Sequence, residues 1–168
     1  MFFIRSASQS DLAKVSALLG RSWHAAYDAI YGADKVAEIT ASWHSLDALK
    51  RQLARPDSEF VVADDGKRLG GMAYAATDKD ETDVVHLHQL YVDPDLTGQG
   101  IGRDLFAEVE TCFPAAKRMR LEVEPKNERA VGFYSGLGFS EFGWTKNCGS
   151  DQSGIPAMIM EKELSFPG

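Results

Sequence analysis

Three glycines at alternate positions separate a strand-like stretch from a helix-like one. Gly98, Gly100 and Gly102 follow the apolar residues 83–92 and precede apolar residues at helical spacing. Glycine adopts left-handed backbone conformations without a steric penalty, so such a turn can bring successive backbone N–H groups together at the start of a helix. The partial positive charge of a helix N-terminus stabilises an anion there. The segment therefore predicts a strand, a turn and a helix that together bind a pyrophosphate.

This turn does not match the standard nucleotide-binding motifs. The dinucleotide fingerprint Gly-x-Gly-x-x-Gly requires glycine at position 103, where this chain has Arg103, and a P-loop requires Gly-Lys-Ser or Gly-Lys-Thr. A dinucleotide-dependent redox enzyme and a nucleotide-hydrolysing protein are therefore disfavoured.

The hydrophobic pattern of the whole chain predicts one α/β (α+β) domain over residues 1–168 with a mixed sheet. The predicted elements in chain order are a strand at 2–6, helices near 12–30, 33–42 and 46–53, strands at 59–64, 68–77 and 83–92, a helix at 101–112, a strand at 118–124, a helix at 127–135, and strands near 139–147 and 156–163. The Asp65-Gly66 pair predicts the turn of a hairpin.

Composition limits the possible binding partners and the expected cellular compartment. The 168 residues contain 18 basic and 25 acidic side chains, and the net charge of −7 argues against nucleic acid or an anionic membrane as the main partner. No apolar run approaches membrane length and the start reads as a strand, so a cytoplasmic location is expected. Cys112 and Cys148 lie far apart without metal-ligand spacing, which predicts free thiols and no metal site.

A second motif spans residues 127–139. Asn127 begins a short helix that carries the pair Phe133-Tyr134, and Gly136 and Gly138 are expected to end it as left-handed caps. Combined with the glycine turn, this motif resembles the GCN5-related N-acetyltransferase (GNAT) superfamily. The two motifs cover residues 84–139, and the preceding elements follow the family's usual order. The resemblance implies a mostly antiparallel sheet flanked by helices, with acetyl-CoA as cosubstrate and no metal.

The resemblance also implies a set of cofactor-binding residues. Residues 90–92 would offer backbone groups to the pantetheine arm, residues 98–103 would hold the pyrophosphate, Asn127 would bond the arm, and Tyr134 would lie at the sulfur. Thr97 departs from the family, which usually has Gln or Arg there, so weaker electrostatics are expected at that position. The implied residues are Leu90, Tyr91, Val92, Gly98, Gln99, Gly100, Ile101, Gly102, Arg103, Asn127 and Tyr134.

Acetyl transfer also needs an acid and a base. Tyr134 is the candidate acid, because a well-positioned phenol can protonate the departing thiolate; the alternative is a tyrosine that only packs in its helix. His86 and His88 are the candidate bases. They are two apart on one strand face, and they are similar to the paired histidines of serotonin N-acetyltransferases, which are thought to relay the amine proton through water. Either histidine could instead be structural.

Glu122 is a rival base. It lies five residues before Asn127, a position at which some ribosomal-protein alanine acetyltransferases place a catalytic glutamate. Ordinary strand alternation could equally place it on a solvated face.

The sequence says less about the acetyl acceptor than about the cosubstrate. The family resemblance implies a pocket formed by the first two helices and the last hairpin loop, where aromatic rings and an acid would suit a cationic amine. The residues concerned are Trp23, His24, Tyr27, Asp28, Tyr31 and those at 147–154. Helical spacing also fits core packing, above all for Trp23.

Two functions fit the sequence. The first is transfer of an acetyl group to a primary amine of a small molecule or peptide by direct attack in a ternary complex. The second is an acetyl-CoA-binding regulatory module without turnover. The presence of Tyr134, His86 and His88 favours the enzyme. The identity of the amine and assembly as a homodimer stay open.

Overall fold

The computed structural model describes residues 1–148 and 154–164, and within these ranges it contains seven strands and five helices. The strands are β1 (Phe3–Ser6), β2 (Ser58–Asp64), β3 (Leu69–Thr77), β4 (Val84–Val92), β5 (Arg118–Val123), β6 (Ser140–Thr145) and β7 (Ala157–Glu163). The helices are α1 (Leu12–Tyr31), α2 (Ala33–Trp43), α3 (Leu46–Ala54), α4 (Ile101–Thr111) and α5 (Glu128–Gly136).

The strands form one mixed sheet in the order β1-β2-β3-β4-β5-β7-β6. β4 and β5 are parallel, whereas β1 pairs with β2, and β7 pairs with β5 and β6, in antiparallel register. The predicted fold class, a mixed and mostly antiparallel sheet flanked by helices, is confirmed.

The described residues fall into two compact units. The first contains Met1–Ala75 and Gln89–Cys112, and the second contains the described residues of Ala76–His88 and Phe113–Gly168. The glycine turn belongs to the first unit, and the candidate acid and bases belong to the second.

Helix α1 forms much of the core of the first unit. Leu12, Val15 and Leu19 are buried at the spacing of one helix face. Ile30, near the end of the helix, is only half-buried, whereas Tyr27 is buried. The buried face of α1 therefore ends at Tyr27.

The second unit has its core on one face of β5 and β7. Met119, Leu121, Met158 and Met160 are buried because alternate side chains of a strand share a face. One predicted detail is wrong at the end of α5: Gly136 lies inside the helix, and the positive φ of +102° belongs to Gly138.

Candidate active site

Asp93 holds the turn that follows β4. Its carboxylate is 2% exposed and accepts hydrogen bonds from Arg21 at 2.9 Å, Arg68 at 3.0 Å and the backbone N–H of Asp95 at 3.0 Å. Burial opposes ionisation, but the Asp95 N–H and the two guanidinium groups outweigh it and lower the pKa of Asp93. Its own N–H donates to the carbonyl of Gly70 at 2.8 Å, which attaches the turn to β3.

Two of the three glycines supply left-handed conformations in this turn. Gly98 has φ of +81° and Gly100 has φ of +85°, and no heavy atom lies within 4 Å of a Cβ built at either position. Gly102 lies buried in the first turn of α4. The open space beside the two left-handed glycines can accept a ligand without displacing a side chain.

The start of α4 presents its backbone N–H groups at this opening. The first helical hydrogen bond runs from the N–H of Asp104 to the carbonyl of Gly100 at 3.0 Å. The N–H groups of Ile101, Gly102 and Arg103 precede that bond, so the helix offers them no acceptor of its own. Three convergent donors at a positive helix end fit a pyrophosphate.

At Gly71, β3 lies close to the backbone of β4 and to side chains of α4. A Cβ on Gly71 would lie 2.8 Å from the carbonyl oxygen of Tyr91 and 2.9 Å from Cδ1 of Leu105. Only glycine permits this approach, since real Cβ atoms essentially never come under 3.0 Å. The sequence alone did not predict this role for Gly71, because a glycine inside a strand can equally mark a bulge or a bend.

The end of β4 also contacts α1. Leu90, Tyr91 and Val92 are half-buried, and Ser22 Oγ donates to the carbonyl of Val92 at 3.2 Å. The Val92 carbonyl is therefore engaged within the protein.

In the second unit, Asn127 and Tyr134 lie at opposite ends of α5. Asn127 caps the helix and accepts the N–H of Ala130 on Oδ1 at 3.2 Å, as predicted from the motif. The half-buried Tyr134 ring packs edge-on against Phe133 at 5.3 Å and Phe139 at 5.8 Å between centroids. These contacts hold the ring in one orientation.

His86 and His88 lie on one face of β4, with ring centroids 5.7 Å apart. His86 Nε2 lies 2.6 Å from Oδ1 of Asp78, and their side chains are 33% and 26% exposed. Asp78 lies in the turn between β3 and β4, together with three other acidic residues. The N–H of Glu81, the bond to His86 and the N–H of Asp80 hold the pKa of Asp78 well below its usual range.

Glu122 lies on the same sheet face as the two histidines. Arg120 is the register partner of His86, and Glu122 follows Arg120 by two residues on β5. The Glu122 side chain is exposed, and it accepts a hydrogen bond from the thiol of Cys148. Burial raises the pKa of Cys148 to about 12, with smaller contributions from the negative charges of Glu122 and Glu124. This thiol therefore stays protonated at neutral pH.

The aromatic residues expected near the acceptor form a ladder on α1. Trp23 and Tyr27 have centroids 4.5 Å apart, and Tyr27 stacks on Tyr31 at 5.7 Å. His24 Nδ1 lies 2.7 Å from Oδ1 of Asp28. Trp23 and Tyr27 are only 6% and 8% exposed, so both form part of the core. Of the expected loop at 147–154, residues 149–153 lie outside the described residues.

Two further structural findings concern metals and membranes. Among residues 1–148 and 154–164, no three His, Cys, Asp or Glu side chains come together as a metal-binding group. No helix in these same ranges combines the length and the apolar character that a membrane span requires.

The fold and this turn define the class of protein. Residues 27–164 match the family model of the acetyltransferase (GNAT) domain, and the chain belongs to that family. The match confirms the resemblance drawn from the two motifs. The more specific likeness of the paired histidines to serotonin N-acetyltransferases stays a prediction.

Individual relatives agree with this family. The N-alpha-acetyltransferase RimI of Mycobacterium tuberculosis is 33% identical over 121 residues, which cover 71% of this chain and 75% of RimI. The peptidyl-lysine N-acetyltransferase YjaB of Salmonella typhimurium is 39% identical over 75 residues, or 41% of this chain and 50% of YjaB. The chain thus spans about half the length of some curated relatives that it matches.

A solved structure has a similar fold over most of the chain. It is the PaiA N-acetyltransferase of Thermoplasma acidophilum in complex with coenzyme A, with a TM-score of 0.84 and 25% sequence identity. The similarity covers 97% of this chain and 99% of that one.

Proposed function

We propose that this chain is an acetyl-CoA-dependent N-acetyltransferase that acts on a primary amine by direct attack in a ternary complex. The observation that carries the proposal is the open turn at Gly98 and Gly100, which leads into the N-terminus of α4 in a chain of the GNAT family. The solved PaiA structure holds coenzyme A, which supports the same cosubstrate here. One catalytic domain over residues 1–168 and a cytoplasmic location are part of the proposal.

The proposed cofactor contacts follow the local geometry. Residues 98–103 would bind the pyrophosphate through backbone N–H groups, because two positive-φ glycines and the helix start direct donors at one opening. Residues 90–92 would bond the pantetheine arm. At Val92 that bond would use the N–H, since the carbonyl already accepts from Ser22. Asn127 would contribute its amide group, with Oδ1 already serving as the helix cap.

The proposed acid is Tyr134. Acetyl-CoA supplies the activated acetyl group and a thiolate leaving group. When the tetrahedral intermediate collapses, the carbon–sulfur bond breaks and the departing sulfur needs a proton, which a positioned phenol can donate. Packing against Phe133 and Phe139 restricts the Tyr134 ring. A restricted ring supports the role of a proton donor, because the donor must be well positioned.

The proposed bases are His86 and His88, with Glu122 ranked second. A protonated amine must lose a proton before its lone pair attacks, and imidazole suits that transfer at neutral pH. The three side chains share one sheet face, so each could take the proton directly or through a water. The histidines rank first because His86 has an ordered carboxylate partner, whereas Glu122 lies beside a protonated thiol.

The proposed acceptor is a small-molecule or peptide amine. RimI is named an N-alpha-acetyltransferase and YjaB a peptidyl-lysine N-acetyltransferase, which supports amines carried on peptides. The half-buried Tyr31 and Asp28, near the end of α1, would suit a cationic amine.

The test is release of free thiol from acetyl-CoA in the presence of a panel of amines. The panel should contain peptide N-termini, peptide lysines, polyamines, arylalkylamines and aminoglycosides. Thiol release that depends on one class, with acetylated amine found by mass spectrometry, supports the proposal. Acetyl-CoA binding without turnover on any class would favour the regulatory module.

A further inference from the structure

We propose that Asp78 is a positioning residue that fixes the tautomer of His86 and so makes Nδ1 the proton-accepting atom. The inference rests on the proposed acetyl transfer, and it deepens that proposal by assigning a role to a residue in the turn between β3 and β4. The contact that carries it is the distance of 2.6 Å between Asp78 Oδ1 and His86 Nε2.

The Asp78 carboxylate is itself held in place by the turn. Its other oxygen, Oδ2, accepts the N–H groups of Asp80 and Glu81, both at 2.9 Å. The Asp78 N–H donates to the carbonyl of Val84 at 2.8 Å, which closes the turn onto β4. Both carboxylate oxygens are therefore engaged, and Oδ1 is directed at the imidazole.

An ionised carboxylate only accepts hydrogen bonds, so a neutral His86 must donate from Nε2. A neutral imidazole carries one N–H, and the proton on Nε2 therefore leaves Nδ1 as the acceptor. When Nδ1 takes a proton, the negative Asp78 stabilises the imidazolium at the opposite nitrogen, as the aspartate of a Ser-His-Asp triad does. The proton from the amine would later pass from Nδ1 to water.

The charged side chain opposite His86 on β5 is already paired with carboxylates. Arg120, its register partner on β5, is bonded to Glu161 at 2.6 Å and lies 3.5 Å from Glu81. Asp78 is the carboxylate that contacts the imidazole directly. His88 adds a second titratable ring at 5.7 Å between centroids.

The decisive variant is Asp78→Asn. The asparagine Oδ1 can still accept the two turn N–H groups, so the turn is retained. Its Nδ2 then faces His86 as a donor, and a donor there requires Nε2 to be the acceptor. The substitution should therefore invert the tautomer and move the proton to Nδ1. Asp80→Asn is the matched control, because it removes the same charge from the same turn, where Asp80 donates only its backbone N–H to Asp78.

The first readout is the ¹⁵N spectrum of the histidine rings at neutral pH in the protein without cosubstrate. The chain has four histidines, and His86→Gln identifies the signals of that ring. The parent and Asp80→Asn should show Nδ1 unprotonated, and Asp78→Asn should show Nδ1–H. A parent spectrum with Nδ1–H overturns the proposal without any variant at Asp78.

The second readout is the pH dependence of kcat/KM with an amine that the parent acetylates. Asp78→Asn should lower the maximum about 10- to 100-fold, the range found when the hydrogen-bond partner of a metal-bound histidine is removed, with KM for acetyl-CoA unchanged. Asp78→Glu should recover part of the loss, and Asp80→Asn should match the parent. An inverted tautomer with a parent-like pH profile overturns the positioning role but leaves the acetyltransferase intact. If the parent protein acetylates none of the amines, the proposed function is contradicted. The ¹⁵N spectrum then still tests the contact between Asp78 and His86.

Discussion

The imidazole of His44 lies against the indole of Trp23, with ring centroids 5.7 Å apart and with exposures of 3% and 6%. Within the described part of the chain, neither His44 Nδ1 nor Trp23 Nε1 has a hydrogen-bond partner. Burial lowers the pKa of His44 from 6.5 to about 4, so the folded protein keeps this ring neutral.

His44 should make folding stability fall in mild acid. The unfolded chain binds a proton on His44 at higher pH than the folded protein does, so stability is lost as pH drops from 6.5 toward 4. The loss approaches about 3 kcal/mol, since one unit of pKa corresponds to about 1.4 kcal/mol. Urea unfolding of the parent and His44→Leu between about pH 7.5 and pH 4.5 measures it. The difference in the free energy of unfolding between the parent and His44→Leu should change with pH. A constant difference would show that His44 does not cause the loss of stability in acid.

Gly100→Val should weaken acetyl-CoA binding without preventing folding. A Cβ at Gly100 meets no protein atom within 4 Å, so the side chain would enter the space proposed for the pyrophosphate, while φ of +85° adds backbone strain. Gly66→Val is a matched control: its φ is +91°, its surroundings are equally open, and it lies in the hairpin turn between β2 and β3.

Calorimetry with acetyl-CoA separates the two glycine variants. Both should lose stability to a similar extent, but only Gly100→Val should lose affinity, by about tenfold or more, since lost phosphate hydrogen bonds contribute about 1.5–3 kcal/mol each. Equal affinities for acetyl-CoA in the two folded variants would show that the pyrophosphate does not bind at this turn.

Local signals in the sequence predicted most of the fold and its turn. Gly98 and Gly100 lie between a strand and a helix, so their conformations follow from a few neighbouring residues. The cap at Asn127 was readable for the same reason. These features depend on backbone sterics and short-range hydrogen bonds, which a sequence pattern records directly.

Contacts between residues that are distant in the sequence could not be predicted from it. Asp93 accepts a hydrogen bond from Arg21, 72 positions away in the sequence, and Gly71 is required by the close approach of the Tyr91 carbonyl. The His86 partner lies eight positions earlier, across a turn, where four acids offered no reason to choose Asp78. A single sequence does not record which of several like residues the fold brings into contact.

Tyr134→Phe should lower kcat by about 100-fold or more and leave acetyl-CoA affinity nearly unchanged, because it removes a proton donor and keeps the ring. The edge-on contacts with Phe133 and Phe139 are retained by phenylalanine, so stability should change little. Tyr74→Phe removes a buried phenol from β3 and serves as the control for loss of a hydroxyl. Parent-like turnover in Tyr134→Phe would assign that tyrosine to packing.

The base assignment predicts a characteristic pattern in pH–rate profiles. If His86 and His88 act as a unit, His86→Gln and His88→Gln should each lose the acidic limb and cost nearly as much as the double variant. Glu122→Gln should keep that limb. The reverse pattern, with the limb lost only in Glu122→Gln, would make Glu122 the base and the histidines structural.

Direct transfer of acetyl to an amine is tested by a single experiment on the purified chain, in which acetyl-CoA consumption and amine acetylation are followed together. We expect that thiol release requires an amine, that each thiol released matches one acetyl group on the amine nitrogen, and that no acetylated enzyme accumulates when the amine is omitted. An acetyl group trapped covalently on the protein would contradict direct attack. Acetyl-CoA that binds but is never consumed with any amine would contradict the enzyme itself.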